Sequence, residues 1–137
     1  MEQIEQYIES NQETFLEILS RLVRQQSISA QGIGLEDCAE VLLEIMEGVG
    51  VDGRIISTAG QPTVFGERIE DTTYPTILFY GHYDVQPPGC EDQWETPAFE
   101  PTVREGTIYG RGTGDNKGQL VTHLLAIDAI LATKESL

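Results

Sequence analysis

The chain has 137 residues, 23 acidic against 8 basic side chains, a formal net charge of −15 at pH 7 and 39% hydrophobic residues. That length suits one domain and that apolar share can build a core, so disorder, a collagen repeat and a disulfide scaffold are set aside. The charge argues against nucleic acid and anionic membranes as partners, because both need a basic footprint. It leaves cation binding open.

The opening Met1-Glu2-Gln3-Ile4-Glu5 is acidic and lacks an apolar run, so no signal peptide is expected. No stretch approaches the ~18 apolar residues of a membrane span. Cys38 and Cys90 form no CxxC and no disulfide framework. They are expected to stay thiols in a reducing cytoplasm.

Residues 2–25 read as helix. Ile4, Tyr7 and Ile8, then Phe15, Ile18, Leu19, Leu22 and Val23, recur at helical spacing. Asn11 is a candidate cap for a second segment, which predicts a bend near 10–11. Residues 27–32 are a break. A second amphipathic helix is predicted over 35–48, ended by Gly48 and Gly50. The period then changes, and 54–57 and 63–68 read as short strands around Gly60-Gln61-Pro62.

Thr76-Ile77-Leu78-Phe79-Tyr80 is a continuous apolar run, expected to be a strand buried on both faces. Residues 86–106 are irregular and Pro-rich, of a length usually kept for function. Thr107–Tyr109 is a short strand candidate, and Gly110–Gly114 is glycine-rich. The last helix is predicted over 117–133. Its Leu120/Leu124/Ile127/Leu131 stripe, widened by Val121, Leu125 and Ile130, predicts extensive burial. Helices and strands in this order predict an α/β fold.

Two segments carry candidate chemistry. His82 and Asp84 lie two apart after the apolar run, so in extended chain they point the same way. A histidine whose second ring nitrogen meets a carboxylate is the usual metal-ligand arrangement. A bare His-x-Asp also fits a hydrogen-bonded pair in a structural turn. In Gly110-Arg111-Gly112-Thr113-Gly114-Asp115-Asn116-Lys117-Gly118, Asp115 could bridge two cations. It could equally cap the helix that follows. A phosphate loop is excluded, because Lys117 precedes glycine rather than Ser or Thr. GxGxxG fails as well, since the third glycine would fall at Lys117. His123 reads as a core or boundary histidine, Asp128 as surface and Trp94 as a loop anchor. Arg111 carries no specific signal, and no Ser or Cys has a base partner.

Tyr80-Gly81-His82-Tyr83-Asp84-Val85-Gln86-Pro87, then Trp94 through Pro97-Ala98-Phe99, then Ile108 through Gly118, resemble the co-catalytic zinc amidohydrolases and exopeptidases. That family includes carnosinase-like dipeptidases, acetylornithine deacetylase, succinyl-diaminopimelate desuccinylase and glutamate carboxypeptidase. Leu16–Ser29 resembles its first helix and Ser-x-Ser turn, and the wording around His82 and Asp115 is closest to the dipeptidase branch.

The resemblance implies a three-layer α/β/α sheet flanked by helices, truncated after the helix that follows Asp115. Residues 1–137 would be the N-terminal part of the catalytic domain, without the lid and dimerisation domain. It implies His82 as ligand to one zinc, Asp115 as the carboxylate bridging two, and Asp84 as the active-site residue orienting His82. It also implies a cis bond after Asp115. The cofactor would be two divalent ions, zinc first and cobalt or manganese as alternatives, which polarise the scissile carbonyl and acidify water. The substrate would be a small peptide or N-acyl amino acid.

The chain departs from the family downstream. Residues 116–137 hold no Glu-Glu pair, only Glu135 in a polar tail, so the general base and most expected ligands are missing. Two expectations follow: a metallopeptidase of which this chain carries part of the site, or a non-catalytic remnant that self-associates through surface left uncovered.

Overall fold

The computed structural model describes residues 1–134 and 137. Glu135 lies outside the described residues. The order is α1 (Glu2–Ser10), α2 (Gln12–Arg24), α3 (Leu35–Gly48), β1 (Asp52–Ile56), β2 (Thr63–Glu67), β3 (Thr102–Arg104), β4 (Thr107–Tyr109) and α4 (Lys117–Lys134). The chain is α/β, as its pattern predicted, with two short antiparallel strand pairs, β1–β2 and β3–β4.

The predicted bend falls at Asn11 (φ −112°), but Asn11 does not cap α2 with its side chain. Its Nδ2 donates back to the Tyr7 carbonyl at 2.8 Å and closes α1 instead. The break at 27–32 holds a short 3-10 turn, Ser29–Gln31. The second helix has the predicted bounds, Leu35–Gly48, and the turn after it is made by Gly50 at φ 78°.

Leu22 of α2, Cys38, Leu42 and Ile45 of α3, Val49 and Val51 beyond it, and Val121 and Leu124 of α4 form one buried core. Full burial of such aliphatic side chains contributes roughly 1.5–3 kcal/mol each. The β1–β2 pair lies against α3. Gly53 and Gly66 face each other across the pair, and a Cβ on Gly53 would come within 2.5 Å of Leu43 Cδ1.

Other expectations change. Thr76–Tyr80 is not paired into a sheet and is exposed, Ile77 at 74% and Leu78 at 86%. A strand needs neighbours for its N–H and C=O groups, and none lies beside it among the described residues. α4 is buried only at Lys117, Val121, Leu124 and Ala129. It is apolar around much of its girth, while α1 and α2 pack along one side, so Leu120, Leu125, Ile127 and Leu131 stay half-buried. His123 is exposed rather than core, stacked on Phe79 with ring centroids 4.7 Å apart.

β3 arises inside the stretch read as irregular. Glu105 (φ 50°) and Gly106 (φ 76°) make a two-residue turn joining β3 to β4. Among the described residues no helix is long and apolar enough to cross a membrane.

Candidate metal centre

The segment Gly81–Val85 is held by the turn after α2. Ser27 Oγ donates to the Tyr83 carbonyl at 2.6 Å, and the Val85 N–H donates to the Ser27 carbonyl at 2.8 Å. Ile28 and Val85 form a parallel bridge beside them. The Tyr83 hydroxyl donates to the Pro62 carbonyl. Burial pushes this phenol up to about 12, with Cys38 and Asp84 adding to the shift.

The segment Gly110–Gly118 is built on the same anchor. Lys117 is fully buried, and its Nζ donates to the carbonyls of Leu22 (2.9 Å) and Gln25 (2.6 Å) at the end of α2. Burial lowers the Lys117 pKa, while Cys38 and Asp84 pull it back up. Gly112 is buried with φ 97°, and a Cβ there would sit 2.9 Å from Val85 Cγ1, so glycine is required for the two segments to touch. The Asp115–Asn116 bond is cis.

These anchors bring the candidate residues together. His82 Nε2 lies 3.1 Å from Asp115 Oδ1. His82 Nδ1 lies 3.1 Å from Asp84 Oδ1 and 3.0 Å from the Asp84 carbonyl. Nδ1 faces two oxygens of Asp84 and Nε2 faces one of Asp115, so a ring proton placed on Nδ1 leaves Nε2 available to an ion held between the ring and Asp115. Partial burial pulls the His82 pKa down, but the Asp84 carbonyl and the Asp84 and Asp115 carboxylates outweigh it, and the net shift is upward. Asp115 uses its carboxylate here, and Asn116 is the residue that precedes α4.

The donor set fits a divalent ion. An imidazole nitrogen and a carboxylate oxygen each bind zinc at about 2.0–2.2 Å, and atoms 3.1 Å apart can share one such ion. Asp84 on the far ring nitrogen is the partner that metal-binding histidines usually have. Asp115 is open to solvent and free to accept a second ion. No group of three or more His, Cys, Asp or Glu is placed to hold a metal among the described residues.

Other residues sort differently. Trp94 anchors its loop, Nε1 donating to the Pro88 carbonyl at 3.0 Å, with the Arg111 guanidinium 5.4 Å above its ring. Asp128 is half-buried and accepts from the Tyr7 hydroxyl at 3.0 Å, tying α1 to α4. His123 lies apart in its stack with Phe79. Sequence reasoning missed Ser27, Asn116 and the buried Lys117. The Asn-Lys-Gly wording after Asp115 was the available signal, but a charged side chain gives no local sign of burial.

Residues 78–137 match the profile of peptidase family M20/M25/M40. Over these residues the chain is similar to the M20 peptidases. It is 33% identical over 120 residues to the succinyl-diaminopimelate desuccinylase of Dechloromonas aromatica, covering 88% of this chain and 30% of that protein. The crystal structure of the M20 family metallo-carboxypeptidase Sso-CP2 from Sulfolobus solfataricus superposes with a TM-score of 0.80 at 36% identity, over 88% of this chain and 28% of the other. Human carnosine dipeptidase 1 superposes with a TM-score of 0.86 at 30% identity, over 99% of this chain and 32% of the other. The chain thus spans about 30% of the length of the desuccinylase it matches. The M20 similarity covers His82, Asp84 and Asp115.

Proposed function

We propose that the chain forms part of the two-metal centre of a metallopeptidase or amidohydrolase of the dipeptidase type, acting on a peptide or N-acyl amide bond. His82 Nε2 opposite Asp115 Oδ1 at 3.1 Å, with Asp84 behind the ring, is the observation that carries this reading. His82 and Asp115 would hold the metal, and Asp84 would orient the His82 ring from behind. When bound, two divalent ions, zinc foremost with cobalt or manganese as alternatives, polarise the scissile carbonyl and acidify a water. With its ring proton on Nδ1 toward Asp84, His82 would offer Nε2 to an ion. Asp115 offers two oxygens, and its exposure leaves the approach open to substrate.

Catalytic zinc sites use three protein ligands and an open position. Two ligands hold the ion weakly, so residues 1–137 are read as the N-terminal part of a metal-binding catalytic domain. A complete site of this kind needs at least one further protein ligand and a general base besides His82, Asp84 and Asp115. A reducing, cytoplasmic setting belongs to the same reading, since Cys38 and Cys90 are free thiols.

Zinc titration followed at the His82 imidazole, with a dipeptide hydrolysis assay alongside, tests the reading. Weak binding lost in His82→Ala and in Asp115→Ala, without turnover, is the expected result. Zinc binding unchanged in both variants would overturn it.

The exposed Ile77, Leu78 and Tyr80 support a second reading, a non-catalytic fragment that self-associates through this strip. The net charge of −15 opposes pairing, so any dimer should grow as salt screens it. Gel filtration showing a monomer at all salt concentrations would remove this reading.

A further inference from the structure

We propose that Asn116 is a positioning residue that fixes the His82 ring against Asp115, through a hydrogen bond to the His82 main chain for which Gly81 leaves the room. This rests on the metal-centre reading above. The His82 N–H donates to Asn116 Oδ1 at 3.2 Å. A Cβ on Gly81 would sit 2.7 Å from that same oxygen and 3.4 Å from Leu120. Any larger residue at 81 therefore displaces the amide, whatever its own backbone preference.

The location makes this bond matter. Toward the C-terminus, the His82 segment is tied down by Ser27 at Tyr83 and Val85. Toward the N-terminus, Thr76–Tyr80 has no ladder. Among the described residues, no hydrogen bond holds the main chain from Pro75 to Gly81. The Asn116 amide is thus the tie on that side of the imidazole. Asn116 directly follows Asp115. One short backbone segment therefore carries both the carboxylate facing His82 Nε2 and the oxygen gripping the main chain of the same histidine. A shift of one moves the other, so the separation of the two ligands is preserved. Lys117, next along, fastens this segment to the end of α2.

Three variants test the proposal, each read by amide hydrogen exchange at His82 and by zinc titration of its imidazole. Asn116→Leu keeps the branching at Cγ and removes the acceptor. His82 protection should fall, and zinc affinity should drop about tenfold, as for other residues that orient a metal ligand. Asn116→Asp keeps an oxygen in place and should restore both. Gly81→Ala leaves Asn116 intact but pushes its amide away, and should reproduce the loss; it also carries the test if Asn116→Leu does not fold. Wild-type His82 protection and zinc affinity in Asn116→Leu would overturn the proposal, as would failure of Asn116→Asp to rescue. If wild type binds no zinc while Asn116→Leu still loses His82 protection, the metal reading falls and the main-chain clamp stands.

Discussion

Lys117 Nζ donates to the Leu22 carbonyl at 2.9 Å, across 95 residues of sequence. This bond, with its companion to Gln25, closes the C-terminal end of α2, whose last carbonyls have no partner within the helix. It also fastens the turn carrying Asp115 to the turn carrying Ser27, which in turn holds His82. The end of α2 is the common anchor of both halves of the candidate site.

Removing that ammonium should therefore cost stability. Lys117→Met keeps the length of the side chain and leaves two carbonyls near the core without a donor. Each buried orphan costs about 1–3 kcal/mol, so a loss of about 2–6 kcal/mol is expected in urea unfolding. A loss below about 0.5 kcal/mol, the range of ordinary surface changes, would show that water replaces the lysine freely.

The two cysteines should separate cleanly by reactivity. Cys38 is fully buried among Leu42, Leu22 and Val121, and burial raises its thiol pKa despite the pull of Lys117 and Ser27. Cys90 is exposed. Thiolate is the reacting form, so a disulfide reagent should modify one thiol in the folded chain and the second only after denaturant is added. Cys90→Ser should abolish the fast reaction. Fast modification of Cys38 in that variant would show that the core opens readily.

Tyr83 sets a distinctive alkaline limit. Its phenol is pushed up to about 12 in the folded chain from an ordinary value of 10.0. Between those values the unfolded chain has released the proton and the folded chain retains it. Stability from this group is thus complete below pH 10 and is lost as pH rises toward 12. Unfolding midpoints measured from pH 9 to 12 should fall more steeply in wild type than in Tyr83→Phe, which has no proton to lose. Parallel curves would refute the assignment. Tyr7, raised by burial and then by Asp128, needs its own Phe control.

The sequence made some of this legible. The 3.6-residue period located α3 to the residue because its apolar face is the core itself. His-x-Asp and the glycine-rich Asp115 turn pointed to one site, since few constellations need both. Thr76–Tyr80 misled because a strand is made by its neighbours, and an apolar run reports only that burial would be favourable. β3 was hidden by its three-residue length, although Glu105-Gly106 between Thr-Val-Arg and Thr-Ile-Tyr is the pattern of a two-residue hairpin turn. Lys117 and Asn116 were illegible for another reason. Their roles are bonds to main-chain atoms of distant residues, which no side-chain pattern encodes.

Asp84 offers the sharpest distinction between a ligand and the residue behind it. Its carboxylate Oδ1 and its own carbonyl both face His82 Nδ1, at 3.1 and 3.0 Å. Asp84→Asn removes the charge but leaves the main-chain acceptor, so the proton stays on Nδ1 and the ring keeps its direction. Partners of this kind typically contribute 10–100-fold in metal affinity. With the carbonyl still in place, the loss should sit near the lower end, about tenfold. Asp84→Ala, which keeps the same carbonyl, should behave alike. His82→Ala should instead eliminate the site, because the nitrogen itself is gone. Zinc titrations of the three variants under one buffer condition give the ranking directly. A loss in Asp84→Asn as complete as in His82→Ala would mean that Asp84 binds the ion itself, and that the His82 ring is turned by something other than the two oxygens behind it.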